Sequence, residues 1–376
     1  MKTSKKILAL ALAMGMFAAV ATGCADESWS YKDDLNTLSP GTYIYYMSGG
    51  YSYAASQVSS ANSSSSSTES IDVLTQKIKD QDDKEINAQD YVLREADLAC
   101  KNLLNTDRLF AERKLKLSEE EETAAQSNAD TMWSYYGKTY EKMGISKDSF
   151  YNAEYLFAAK YNAIFKSIYG IGGEKAVPDD DIKDYFIKNY TDYAYLPLNL
   201  YKSEESSDSS TGTTSVALSE EEIKKAKADF DDYAKLINDG KNTFDEIDDI
   251  FVKDQGLEKS TAVKNTEVLD DSSIGDELKK AIKDLDNGKA TVIQVGKDTT
   301  AVLYLVYKGD INKAAENVFN DTQRTNVLRK MKFEEFQNDM EAQAKDYKCE
   351  KNEAVVNKYQ PSMFKEYMNQ EFKQIC

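Results

Sequence analysis

Histidine is absent from all 376 residues. That removes the usual general base near neutral pH and the commonest metal ligand. Cysteine is scarce, at four residues, and no Cys-x-x-Cys occurs, so thiol–disulfide exchange chemistry has no motif to rest on. Setting Cys24 aside leaves Cys100, Cys349 and Cys376, an odd count that argues against a disulfide framework. Cys100 and Cys349 form a candidate pair if their helices pack together, and are equally readable as two buried thiols. Cys376 reads as an exposed terminal residue. No basic patch with interleaved aromatics interrupts a chain whose net charge is -18, which argues against nucleic acid as a partner.

Other motifs are missing or incomplete. The acidic runs Glu119–Glu122, Asp179–Asp181 and Asp248–Asp249 lack the spaced oxygen ligands around a glycine that a calcium loop needs, and read as solvated helix starts. Gly170-Ile-Gly-Gly173 follows no strand and lacks the Lys-Ser/Thr of a phosphate loop, so it reads as a helix stop. Ser362-Met-Phe-Lys365 has no partner motif for serine hydrolase chemistry. No cofactor and no metal is expected.

What is present begins with an export signal. Lys2, Lys5 and Lys6 precede the uncharged run Ile7–Val20, which is too short for a membrane span. Ala21-Thr-Gly-Cys24 then resembles a lipobox, with Ala21 where leucine is commoner. Residues 1–23 are thus expected to be a lipoprotein signal peptide, with Cys24 lipidated and the protein held on the outer face of a bacterial membrane. Residues 24–40 are expected to be a tether.

Beyond it the pattern is helical. Thr42–Met47 reads as a short strand or the start of a helix, and Ser59–Ser67 as a loop. An amphipathic helix over roughly Ala88–Leu115 is followed by a capping box at Ser118-Glu-Glu-Glu121. Phe150, Ala153, Phe157, Tyr161, Ile164 and Ile168, three or four residues apart, give the clearest helical stripe. Pro178 and the acids after it start a short helix, and Tyr193–Tyr201 is an extended apolar run whose Pro197 points to an edge strand or bulge. Lys202–Ala217 reads as a mobile loop. A second capping box at Ser219–Glu222 opens a helix closed by Gly240, and another helix runs from Ser273 to Asn287-Gly288. Ala290–Val295 and Ala301–Tyr307 read as a strand pair. Asp310–Lys348 is expected to be one long helix.

A return to helix after a small α+β unit is the mark of an insertion. The fold expected is mainly α, with residues 41–190 and 310–376 forming a helical body and residues 191–309 an inserted α+β domain.

Gly144-Ile-Ser-Lys-Asp-Ser-Phe150 and the helix after it, Tyr169-Gly-Ile-Gly-Gly173 through Tyr185-Phe186, the tyrosine-rich strand, Leu115–Glu121 and Arg324–Lys348 resemble the extracytoplasmic foldase lipoproteins of the PrsA type. These are similar in turn to SurA-like and trigger-factor-like chaperone helices. The resemblance implies a helical chaperone body carrying an inserted parvulin-type prolyl isomerase domain. The departures imply that this domain is degenerate. Its first and last strands lack the histidines of parvulin sites, and Glu267-Val-Leu-Asp-Asp-Ser-Ser273 replaces a glycine-rich segment. Prolyl isomerisation is rotation about an amide and needs no covalent chemistry, so weak activity is still chemically accessible. Phe244 is the first candidate for an apolar wall, set against a plain core role.

The chain holds 25 tyrosines. Tyrosine packs apolar segments while keeping a hydrated hydroxyl, which suits an adaptable binding surface. Tyr136, Tyr161, Tyr193 and Tyr195 join Phe244 as candidate client contacts. The function expected is a membrane-anchored chaperone or foldase-like protein that binds exported unfolded polypeptides without significant catalysis. The alternatives are a weak parvulin-type isomerase and a structural or solute-binding surface lipoprotein.

Overall fold

The structure, a computed structural model, describes residues 28–62, 71–205, 213–318, 320–365 and 367. Cys24, Cys376, the residues expected to form a signal peptide and most of the serine run lie outside the described residues. The protein is a mainly α-helical body with an inserted β-rich subdomain. Its residues fall into two compact units, one drawn from Met1–Ile168 and Glu335–Cys376, the other from Tyr169–Glu334.

In the first unit, β1 (Tyr31–Lys32) and β2 (Thr37–Leu38) lead into α1 (Pro40–Asn62). Residues 28–40 are therefore not a free tether: Tyr31 is fully buried, and its hydroxyl donates to Asp97 at 2.8 Å. Aromatic burial outweighs the polar composition that suggested a tether. The ambiguous run Thr42–Met47 is helical, and its Tyr43, Ile44 and Met47 are core residues. A short hairpin, β3 (Lys77–Lys79) with β4 (Glu85–Asn87), precedes α2 (Ala88–Glu112), and α3 (Glu119–Lys142) opens on the expected capping box at Ser118 and Glu121. After α4 (Lys147–Phe150) the helix widens into a π turn over Tyr151–Leu156 before α5 (Phe157–Tyr169). The stripe from Phe150 to Ile168 thus spans a change of helix type that its regular spacing did not disclose.

The second unit starts with α6 (Asp179–Asn189) and β5 (Thr191–Asn199). Lys202–Ala217 is in part a hairpin, β6 (Tyr201–Glu205) against β7 (Thr213–Ala217), rather than a loop throughout. Tyr201, Thr213, Thr214 and Val216 suit a ladder even where the composition looks loop-like. Then come α7 (Glu220–Asn238), α8 (Phe244–Asp254), β8 (Val263–Glu267), α9 (Asp276–Asp284), β9 (Lys289–Val295) and β10 (Val302–Lys308). The sheet is antiparallel with order β8-β5-β10-β9. Pro197 lies on a central strand, but β8 pairs only with Thr191–Tyr195, so the side where proline lacks a donor has no ladder to complete.

The expected single helix over Asp310–Lys348 is two, α10 (Ile311–Val318) and α11 (Asp321–Asp346). Asn320 makes the break, because its side chain accepts the Thr322 and Gln323 backbone N–H groups as an N-cap does. Within the helical unit, Arg108 of α2 donates to the Tyr347 hydroxyl at 2.6 Å just beyond α11. After α11 come β11 (Glu350–Lys351), which pairs with β1, the short α12 (Glu353–Val356) and a single 3-10 turn over Pro361–Met363.

Candidate functional site

An open groove of about 450 Å³ runs between α1, α2, the end of α3 and the π turn. Its shape follows from the sequence of α1. Tyr45, Gly49 and Tyr53 recur every four residues and so share one face. The glycine leaves a notch between two rings set two turns, roughly 12 Å, apart along the helix. The floor is Gly50, which lets α1 approach α2 closely: a Cβ there would stand 3.3 Å from the Val92 Cα.

Aromatic rings form the walls. Tyr53 stacks on Tyr91 at 5.1 Å between ring centres, while Tyr45 meets Tyr140 edge-on at 5.9 Å and Phe150 at 5.5 Å. The Tyr45 hydroxyl donates to Glu154 at 2.9 Å, and the Tyr46 hydroxyl to the Ala153 carbonyl at 2.9 Å. Both acceptors belong to the π turn, whose altered ladder re-aims backbone and side-chain groups. Burial, then the Glu154 carboxylate, pushes the Tyr45 phenol far above its ordinary range, so it stays a neutral donor. Glu95 completes the lining and pairs with Arg94 at 2.9 Å.

On the other side of the π turn, a more polar cavity of about 430 Å³ is bordered by Asp107 and Lys160, whose charged atoms meet at 2.6 Å. The hydroxyls of Ser39, Ser146 and Ser149 form a linked set there, with contacts of 2.8 and 2.9 Å.

The inserted unit carries a separate aromatic face. Tyr193 and Tyr195 point to the same side of β5, with rings parallel at 6.5 Å, and Tyr304 of β10 meets Tyr195 edge-on at 5.7 Å. Tyr193 is buried beneath Leu269, Leu278 and Ile282, and its hydroxyl donates to Glu267 at 2.5 Å with Ser272 at 3.3 Å. Tyr195, Pro197, Tyr304 and Ile293 are half-buried on that face. This is a shelf of aromatic and aliphatic groups around one hydroxyl–carboxylate pair, and it contains no imidazole.

The candidate residues read from the sequence are thus dispersed. Tyr193 and Tyr195 come together. Phe244 lies in the other core of the inserted unit, 5% exposed and stacked on Tyr307 at 5.6 Å. Tyr161 packs edge-on against Phe336 at 4.7 Å, and burial raises its phenol to about 12. Tyr136 is half-buried on α3, beside the strongly exposed Tyr135. Cys100 is buried, Cys349 half-buried, and both are free thiols. The groove residues Tyr45, Tyr53, Tyr91 and Glu154 were not singled out. The signal that would have found them is the pair of tyrosines flanking Gly49 at helical spacing.

A comparison with protein-family models found no match, and a search of curated proteins found none either. Among solved structures, the chain is similar to the foldase protein PrsA from Streptococcus pneumoniae. The identity is 18%, over 77% of this chain and 99% of that one, with a TM-score of 0.34. The similarity is weak in both sequence and shape.

Proposed function

We propose that this protein is an extracytoplasmic chaperone that binds unfolded or partly folded exported polypeptides and carries out no significant catalysis. The observation that carries this reading is the tyrosine-walled groove of the helical unit. Its rings offer apolar contact area at low entropic cost, and their hydroxyls together with Glu95 and Glu154 keep it wet and adaptable. Residues 191–309 are assigned to a degenerate parvulin-like domain, and lipid on Cys24 to the membrane anchor. A Cys24→Ser variant that stays membrane-bound would overturn the anchor assignment.

The test is aggregation of a reduced, unfolded secretory protein. The lipid-free chain should suppress it at stoichiometric amounts, and a Tyr45→Ala/Tyr53→Ala variant that remains folded should lose at least half of the effect. If no client is protected, the reading is wrong. The sheet face bearing Tyr195, Pro197 and Tyr304 favours weak prolyl isomerisation as a second reading. A protease-coupled proline-peptide assay at the buffer rate rejects it.

A further inference from the structure

We infer that the groove selects extended segments carrying a lysine or arginine flanked by apolar residues; the inference rests on the chaperone reading and names the client chemistry. Charge is the first argument. Among the described residues lining the groove, two are carboxylates, Glu95 and Glu154, and none is cationic. Arg94, which pairs with Glu95, is divided between it at 2.9 Å and Asp80 at 3.1 Å. Among the described residues, Glu95 and Asp80 share the Arg94 guanidinium as their ion-pair partner, and Glu154 makes no ion pair. The turn that brings Gln81 to the rim adds no free cation: Lys79 pairs with Asp83, and Lys84 with Asp82. Among the described residues, Glu154 accepts only from the neutral Tyr45 hydroxyl, and it is exposed to solvent.

The rings are the second argument. Tyrosine faces attract cations, and more strongly where water is partly excluded. The protein already uses this chemistry on the same wall, where the Arg94 guanidinium lies 5.4 Å from the Tyr91 ring centre. Tyr45, Tyr53 and Tyr140 are half-buried and border the same space. A basic side chain laid over the Gly49 notch would meet ring faces along its methylene stem and Glu154 or Glu95 at its head. Apolar neighbours would lie against Tyr45 and Tyr53. An acidic residue in that position would face the Glu95 and Glu154 carboxylates.

The experiment uses three fluorescent peptides, identical apart from a central Lys, Gln or Glu between apolar residues, with binding to the lipid-free chain read by anisotropy. The Lys peptide should bind about tenfold tighter than the Glu peptide, a difference near 1.4 kcal/mol, and the preference should shrink with added salt. Glu95→Gln/Glu154→Gln should reduce it to about twofold or less. Glu119→Gln/Glu120→Gln, which removes equal charge from the start of α3, should leave it intact. Equal affinity for all three peptides overturns the inference and leaves the chaperone reading standing. An equal loss in both double variants overturns it too, because the overall net charge would then explain the preference. Binding of none of the peptides rejects both.

Discussion

The Asp107 carboxylate and the Lys160 ammonium meet at 2.6 Å with side chains only 13% and 21% exposed. Burial pushes the Asp107 carboxyl above its ordinary value, and Lys160 opposes the shift only in part. The sign follows. A folded pKa above the unfolded one gives a contribution to stability that is complete below the ordinary carboxylate range and is lost as pH rises through the folded value. Replacing Lys160 by methionine leaves a carboxylate with no counter-ion in a poorly solvated place. The helical unit should lose about 3 kcal/mol at neutral pH, as when one partner of a buried pair is removed. Mild acidification should restore part of that loss by protonating Asp107. The double change Asp107→Leu/Lys160→Met should lie much closer to the parent. Thermal melts at neutral and mildly acidic pH check this, and a Lys160→Met variant whose deficit does not shrink on acidification contradicts it.

At the scale of elements, the π turn over Tyr151–Leu156 fixes the groove. Inserting it re-aims the helix so that the Ala153 carbonyl meets the Tyr46 hydroxyl and Glu154 meets Tyr45. Tyr46→Phe keeps the ring and removes the donor, leaving a shielded carbonyl unpaired. The cost should be about 1–2 kcal/mol, seen as a lower denaturant midpoint with little change in slope. A midpoint equal to that of the parent would mean that water replaces the hydroxyl. The same turn shows how far sequence reading reaches. Capping boxes at Ser118 and Ser219 are local and legible from sequence, and a third at Thr243 and Glu246 carries the same signal. Helical periodicity found α2, α3 and the stripe of α5 because burial repeats with the helix turn. It could not reveal the π turn, since one extra residue per turn barely alters a pattern of threes and fours. Nor could it show that Tyr45 and Tyr53 face Tyr91 and Tyr140, which depends on how α1, α2 and α3 pack. The lack of histidine on β5 and β10 was readable at once, whereas the Tyr193–Glu267 contact needed the register of β5 with β8.

At the scale of the whole molecule, each unit contains a hydrophobic cluster of its own, and this has a consequence for unfolding. The cluster around Leu196, Phe230, Phe251 and Leu305 lies wholly within Tyr169–Glu334, whereas the cluster around Tyr43, Met47, Leu104 and Phe150 lies wholly in the helical unit. The chain has two tryptophans, Trp29 and Trp133, and both belong to the helical unit. Tryptophan fluorescence therefore reports that unit alone, while far-UV circular dichroism reports both. Leu305 is fully buried on β10 in the middle of the inserted sheet. Cutting it to alanine removes buried methyl groups and leaves a cavity, at a cost of about 3 kcal/mol. Because the cavity lies in the inserted unit's own cluster, Leu305→Ala should lower the midpoint of one dichroism transition and leave the fluorescence midpoint unchanged. Client binding in the Tyr45–Tyr53 groove should survive at temperatures where the variant's inserted unit has already melted. A fluorescence midpoint that falls together with the dichroism would show instead that the two units unfold as one cooperative block. The polypeptide binding proposed for the groove would then depend on the integrity of the inserted sheet.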